Sequence, residues 1–200
     1  MAIHMPTAPI RKPLATDDDW SAYAGTRMRV EDFLALDDAE ETNLEYVDGL
    51  VLEKAVADRN HRNIVGELDY RFGGYKRIKG GEFGPEARVR LASGRYRKPD
   101  TAYWAAGTDA SDDALPTVAV EVWSPGETMA SQRAKCRMFL GAGVKSCWLI
   151  NPKTRTVEVF EAGVDGRVLR AAAVLESGFL AGFSVPLPEL FAVIEGSGRA

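Results

Sequence analysis

The sequence predicts a single domain of the α/β or α+β class, on three observations. Strand-like segments outnumber helical ones. The helical segments each carry an apolar stripe that needs a sheet to cover it. One run, Thr117-Val-Ala-Val-Glu121-Val-Trp123, is apolar on both sides of its alternation, as a central strand covered on each face would be. A length of 200 residues is ample for a core. The balance of 46% hydrophobic and 27% charged residues is that of an ordinary globular chain.

Residues 1–25 mix Pro, Ala and Asp without period, so a loosely draped arm is expected ahead of a domain over residues 26–195. Arg29 to Leu36 reads as a short helix, with Val30, Phe33 and Leu34 on one face, and the acidic run Asp37 to Glu41 as a loop. In Leu44 to Glu53, Asp48-Gly49 between two apolar runs marks a two-residue hairpin turn, because both residues tolerate positive φ. That turn sets Val47 opposite Leu50 and Glu45 opposite Leu52, so Glu45 shares a face with aliphatic neighbours. A carboxylate there needs a partner, a proton or a cation, unless it reaches water at the strand end.

A helix is expected from Arg59 to about Arg77, capped by Asp58 or Asn60. Ile64, Val65, Leu68, Phe72 and Tyr75 form its stripe, and His61 projects from the same face near the start. Taken alone, a histidine there is more often a core or capping group than a catalyst. Gly73-Gly74 predicts a kink or stop, since each glycine costs roughly 1 kcal/mol relative to alanine. Lys79 to Pro85 reads as a turn-rich connection, and Ala87 to Leu91 as a half-exposed strand. Ser93-Gly94 would then turn into a strand from Tyr96 to Trp104, with Pro99 at an edge or at the strand's entrance. A polar loop precedes the covered strand, and a helix from about Thr128 to Ala142 stops at Gly141-Ala-Gly143. Ser146 to Ile150 and Thr156 to Glu161 are strands, Asp165-Gly166 a further hairpin turn, and Ser184 to Phe191 an extended tail that can end in a helical turn.

The net charge of −4 argues against a generally basic protein that coats DNA. Its distribution is uneven: Arg71 to Lys98 holds nine Lys or Arg against Glu82 and Glu86. Such a run is either a footprint for a phosphate-bearing partner or a solvated face with charges on both sides of a sheet. Cys136 and Cys147 match no zinc or redox spacing and read as two reduced, buried thiols. No run reaches the roughly 18 apolar residues of a membrane span. Met1 to Met5 lacks the features of a signal peptide, so a cytoplasmic location is expected.

Chemistry concentrates between Arg95 and Ile150. Asp100 ends a basic run, Glu121 is the single acid inside the covered strand, and Lys135 borders the buried stripe of the next helix. Two carboxylates on neighbouring strands suit an oxygen-ligated Mg²⁺, with Mn²⁺ as a substitute, which takes one or two carboxylates plus waters and substrate phosphate. A nearby lysine would balance negative charge developing on a phosphodiester. Asp100 after proline could instead start a turn, and Lys135 could snorkel past Phe139. Glu121 is hardest to explain without a compensating partner.

The segments Leu44-Glu-Tyr-Val-Asp-Gly49, His61, Pro99-Asp100, Val120-Glu-Val-Trp-Ser-Pro125, Lys135 with Phe139, Ala142-Gly-Val144 and Cys147-Trp-Leu-Ile-Asn-Pro152 occur in one order and spacing. From about Met28 to Phe191 the chain resembles the Uma-type putative restriction endonuclease family, a branch of the PD-(D/E)XK nuclease superfamily. The resemblance implies a restriction endonuclease-like fold, a mixed β-sheet flanked by helices. It implies Asp100 and Glu121 as metal ligands, joined by the Val122 carbonyl, with Glu45 as an additional metal or water ligand. The usual lysine position is Trp123 here, which passes the lysine's role to Lys135, and His61 would assist protonation or contact phosphate. Ser131 and Phe139 stand where family members often carry aspartate and tyrosine. The function expected is Mg²⁺-dependent hydrolysis of DNA with low sequence specificity. The alternative is an inactive nucleic-acid-binding or assembly module on the same fold. Cutting both strands needs two sites, which would suit a homodimer.

Overall fold

At Pro99 the chain passes from a small sheet into a larger one. The computed structural model describes residues 20–194 apart from 41, 42, 93 and 112. After a short 3-10 helix (Trp20–Tyr23) come α1 (Val30–Glu40), β1 (Leu44–Val47), β2 (Leu50–Glu53), α2 (Arg59–Lys79), β3 (Glu82–Pro85), β4 (Val89–Ala92) and β5 (Arg95–Arg97). Beyond Pro99 follow β6 (Thr101–Trp104), β7 (Val118–Val122), α3 (Met129–Ala142), β8 (Ser146–Asn151), β9 (Thr156–Glu161), β10 (Val164–Leu169), β11 (Val174–Glu176), β12 (Ser184–Pro186) and α4 (Leu187–Ala192). Among the described residues, a four-stranded sheet has the order β2-β1-β5-β4, a six-stranded sheet the order β10-β9-β8-β7-β6-β3, and β11-β12 stand as a pair. The neighbours β7 and β8 are parallel and α3 makes the crossover between them, as a parallel pair requires. The result is the mixed α/β single domain that the sequence predicts.

Alternation along β7 decides which side chains meet which helix. Val118, Val120 and Val122 pack with Ile64, Leu68 and Phe72 of α2 on one face of the large sheet. Ala119 packs with Cys136 and Phe139 of α3 on the other. Glu121, two residues on from Ala119, therefore points to the α3 side. A third cluster joins Phe33 of α1 to Leu44, Tyr46, Val51 and Tyr96 of the small sheet. The Asp48-Gly49 hairpin has the expected register, with Glu45 opposite Leu52. Asp58 caps α2, accepting from the His61 backbone N–H at 2.8 Å. Cys136 and Cys147 are free and buried.

Five expectations are corrected. The acidic run continues α1 to Glu40, because Asp37 is buried and paired with Lys98 at 2.7 Å and Arg88 at 3.1 Å. The Gly73-Gly74 pair does not stop α2, which runs to Lys79; Phe83 fills the space beside Gly73, lying 3.4 Å from where a Cβ would be. The connection before Pro85 contains β3, paired with β6 along its whole length. The run Tyr96 to Trp104 is two strands in two sheets, since Pro99 has no N–H for a ladder. Asp165-Gly166 lies inside β10 at a register shift, and the turn falls at Ala162-Gly163.

Most of the expected N-terminal arm lies outside the described residues. Residues 20–25 meet the small sheet, with the Gly25 N–H donating to the Val51 carbonyl at 2.9 Å. No described helix is long and apolar enough to cross a membrane.

Gly81 shows how tightly β3 is seated. Its φ is +99° and an added Cβ would lie 2.4 Å from the Trp104 carbonyl oxygen. Gly81→Ala should cost on the order of 2 kcal/mol in urea unfolding. Gly84→Ala, with nothing within 4 Å of the new methyl, should shift stability by under about 1 kcal/mol.

Candidate active site

Asp100 occupies the first position after the proline that separates the sheets. Its backbone N–H donates to the Val120 carbonyl at 2.9 Å, which docks it beside β7. Its Oδ2 accepts from the Val122 N–H at 2.6 Å and lies 3.1 Å from His61 Nε2. Its Oδ1 lies 3.0 Å from the Lys54 ammonium. The N-terminal turn of α2 delivers His61, whose Nδ1 is 2.9 Å from the Ser124 hydroxyl.

Lys135 comes from α3 and is buried. Its ammonium lies 2.9 Å from both Glu45 Oε1 and Glu121 Oε2, and it also donates to the Lys98 carbonyl at 3.4 Å. Glu45 is filled on both oxygens. Oε1 also accepts from the Lys98 N–H at 2.9 Å, and Oε2 accepts from Arg97 at 2.5 Å. Glu121 differs: its Oε1 is buried and has no hydrogen-bond partner among the described residues. Glu45, His61, Asp100, Glu121, Val122 and Lys135 all line one cavity of about 270 Å³. The structure thus brings every residue singled out in the sequence to one place.

The electrostatics follow from that wiring. Burial pushes the Glu121 carboxyl up, Lys135 pulls it down, and Asp100 and Glu45 add repulsion, leaving it at about 8. Burial also works against ionised Glu45, but Lys135 and Arg97 outweigh it and hold that carboxyl at about 2. Asp100 is likewise held well below the ordinary range, since Lys54 and His61 overcome its burial. Burial alone would lower the Lys135 ammonium, but Glu121 and Glu45 raise it.

Sequence reasoning missed several groups at this cavity. Lys54 follows β2 and looks locally like any lysine leaving a hairpin. Glu127 accepts from the Ser124 N–H at 3.0 Å and from Gln132 Nε2 at 2.5 Å. Burial raises its pKa; an acid just ahead of an α3 N-cap was the available signal. Arg97 and Lys98 turn inward to Glu45 and Asp37. Six of the nine basic residues between Arg71 and Lys98 are ion-paired, namely Arg71, Lys76, Arg88, Arg95, Arg97 and Lys98. The basic stretch is therefore largely neutralised within the protein. A wider groove of about 870 Å³ beside Glu86 has Asp37, Glu82 and Asp113 among its lining residues as well as Arg88 and Lys98.

Residues 30–190 match the family Uma2, described as "Putative restriction endonuclease". The chain belongs to the Uma2 family. The matched span contains every residue of the cavity, so the Uma2 assignment and the geometry concern the same part of the molecule. A crystal structure titled as a putative nuclease belonging to DUF820 from Anabaena variabilis ATCC 29413 shares the fold, with a TM-score of 0.72 and 18% identity over 84% of this chain and 99% of that one. No curated protein matches the sequence. Of the two departures from the Uma2 pattern, Ser131 bonds back to Thr128 at the start of α3, and Phe139 is buried in the core under α3.

A cation would have limited but suitable donors here. Among the described residues no group of three or more His, Cys, Asp or Glu is placed to hold a metal ion. Magnesium needs less: one or two carboxylates, with waters and substrate oxygens completing the shell. The unpartnered Glu121 Oε1 fits that need, since a buried carboxylate oxygen without a donor is costly.

The raised Glu121 pKa has a stability consequence for the metal-free protein. A carboxyl ordinarily near 4.5 and held at about 8 on folding contributes stability that is full below 4.5 and lost as pH rises through 8. The melting temperature of wild type should therefore decline across that window relative to Glu121→Gln, which should remove this part of the slope. Equal profiles for the two proteins would contradict the buried, unpartnered placement of Glu121.

Proposed function

We propose that this Uma2 protein is a Mg²⁺-dependent endonuclease that hydrolyses phosphodiester bonds in DNA with low sequence specificity, Mn²⁺ serving as a substitute. The observation that carries this reading is the unpartnered Glu121 Oε1, set in one cavity with Asp100, His61 and Lys135. Asp100, Glu121 and the Val122 carbonyl would hold the cation, which when bound supplies Lewis-acid polarisation of the phosphate and an acidified water. Glu45 would add a metal or water ligand, and its contact with Lys135 holds that ammonium in place. Lys135 places fixed positive charge beside Glu121, where negative charge on the phosphorane oxygens would be balanced. His61, held between Ser124 and Asp100, keeps a ring nitrogen at a defined atom for proton handling near the leaving oxygen.

The low specificity expected rests on the single domain, which carries no separate reading module among the described residues. Plasmid and single-stranded DNA should be cleaved in Mg²⁺ or Mn²⁺. Asp100→Ala and Glu121→Ala should each reduce the rate about a thousandfold, the equivalent of several kcal/mol. Cleavage that survives both substitutions would rule the reading out.

A second reading is favoured by Lys54 already facing Asp100. It is a nucleic-acid-binding or assembly module on the same fold. It predicts salt-dependent DNA binding without turnover, or a stable oligomer with no DNA affinity.

A further inference from the structure

Lys54 sits on the carboxylate that a cation would use. Its side chain is only 7% exposed, and its ammonium bridges Asp100 Oδ1 at 3.0 Å and Glu86 Oε2 at 2.5 Å. The two acids are unlike. Asp100 is 4% exposed, whereas Glu86 is 51% exposed on the approach to β4. Glu86 lines the wider groove and Lys54 the smaller cavity, so this ammonium spans the wall between them.

A count of charges shows why this matters. Glu45, Asp100 and Glu121 face Lys54, Lys135 and Arg97, three carboxyls against three cations. Lys135 is locked between Glu45 and Glu121, and Arg97 is bound to Glu45. Lys54 alone among these three also has an exposed partner outside the cavity. A divalent ion approaching Asp100 meets an ammonium within contact distance, and like charges at that separation in a buried site repel strongly.

We propose, building on the nuclease reading, that Lys54 is a tethered competitor for the divalent cation at Asp100, and that Glu86 is the residue that holds Lys54 when the cation takes its place. The device keeps the carboxylate compensated when no cation is bound and lowers cation affinity by the work of moving Lys54 aside. An ammonium held by an exposed glutamate at the cavity wall is also placed to transfer to an incoming phosphate. Cation and nucleic acid would then strengthen each other's binding by the same factor, as linkage requires.

Calorimetric titration with Mn²⁺ in the absence of DNA tests the competition directly. Lys54→Met keeps the buried hydrocarbon stem and should bind Mn²⁺ about tenfold or more tightly than wild type. Glu86→Gln should weaken binding severalfold in the wild-type background and leave it unchanged on Lys54→Met, because Glu86 acts through Lys54. Unchanged or weaker affinity in Lys54→Met overturns the proposal, as does an equal loss from Glu86→Gln in both backgrounds. If Lys54→Met fails to fold, Glu86→Gln at its exposed site decides alone, and wild-type affinity there overturns the proposal. Adding Asp100→Ala separates this proposal from the function on which it rests. Asp100-dependent Mn²⁺ uptake that ignores Lys54 sinks only the competition, whereas no Asp100-dependent uptake in any variant sinks both.

Discussion

A single buried ammonium ties the molecule together. Lys135 reaches from α3 to Glu121 in the large sheet and to Glu45 in the small one, at 2.9 Å each. Removing one partner of such a group strands charge in a low-dielectric interior, commonly at a cost of several kcal/mol. That cost constrains everything nearby. Helix α3 must lie on the face of β7 that carries Glu121, and the β1–β2 hairpin must present Glu45 to the same cavity. Arg97 and the Lys98 N–H must then complete Glu45's shell. The residues around Lys135 are best understood as conditions for keeping it charged.

That network leaves three positions incomplete. Among the described residues Arg97 Nε, Gln132 Oε1 and Glu121 Oε1 are buried at the cavity without a hydrogen-bond partner, and only the last belongs to a carboxylate. A protein that only needed a stable core at this place would do better with an uncharged side chain, since burying an unsatisfied carboxylate oxygen works against folding. The orphaned oxygen is thus a reason to look for chemistry. The family assignment places the chain among proteins described as putative restriction endonucleases, and the Anabaena structure shares its fold.

Periodicity made much of this readable beforehand. Glu121 stood out as the one acid in a covered strand, and the Asp48-Gly49 turn fixed the face of Glu45. The i, i+4 spacing of Lys135 and Phe139 put the lysine at the edge of a buried stripe. What could not be read was long-range pairing. Lys54, Arg97 and Asp37 take their meaning from partners distant in sequence, and a local pattern carries no trace of them. The same blindness made Arg71 to Lys98 look like a phosphate-binding face, when six of its cations are paired within the protein. Turn-like composition misled in the opposite direction: Gly84 lies inside a strand, and Gly81 precedes it where the backbone of β6 comes very close.

The crossing at Pro99 has one more implication. The strands that flank it, β5 and β6, belong to different sheets, and the acids and cations of the cavity are recruited from both. A chain with only one sheet formed would hold half of them, facing water and uncompensated. Assembly of the cavity is therefore tied to completion of the whole domain. Nascent or partly unravelled molecules therefore lack the assembled cavity and whatever it does.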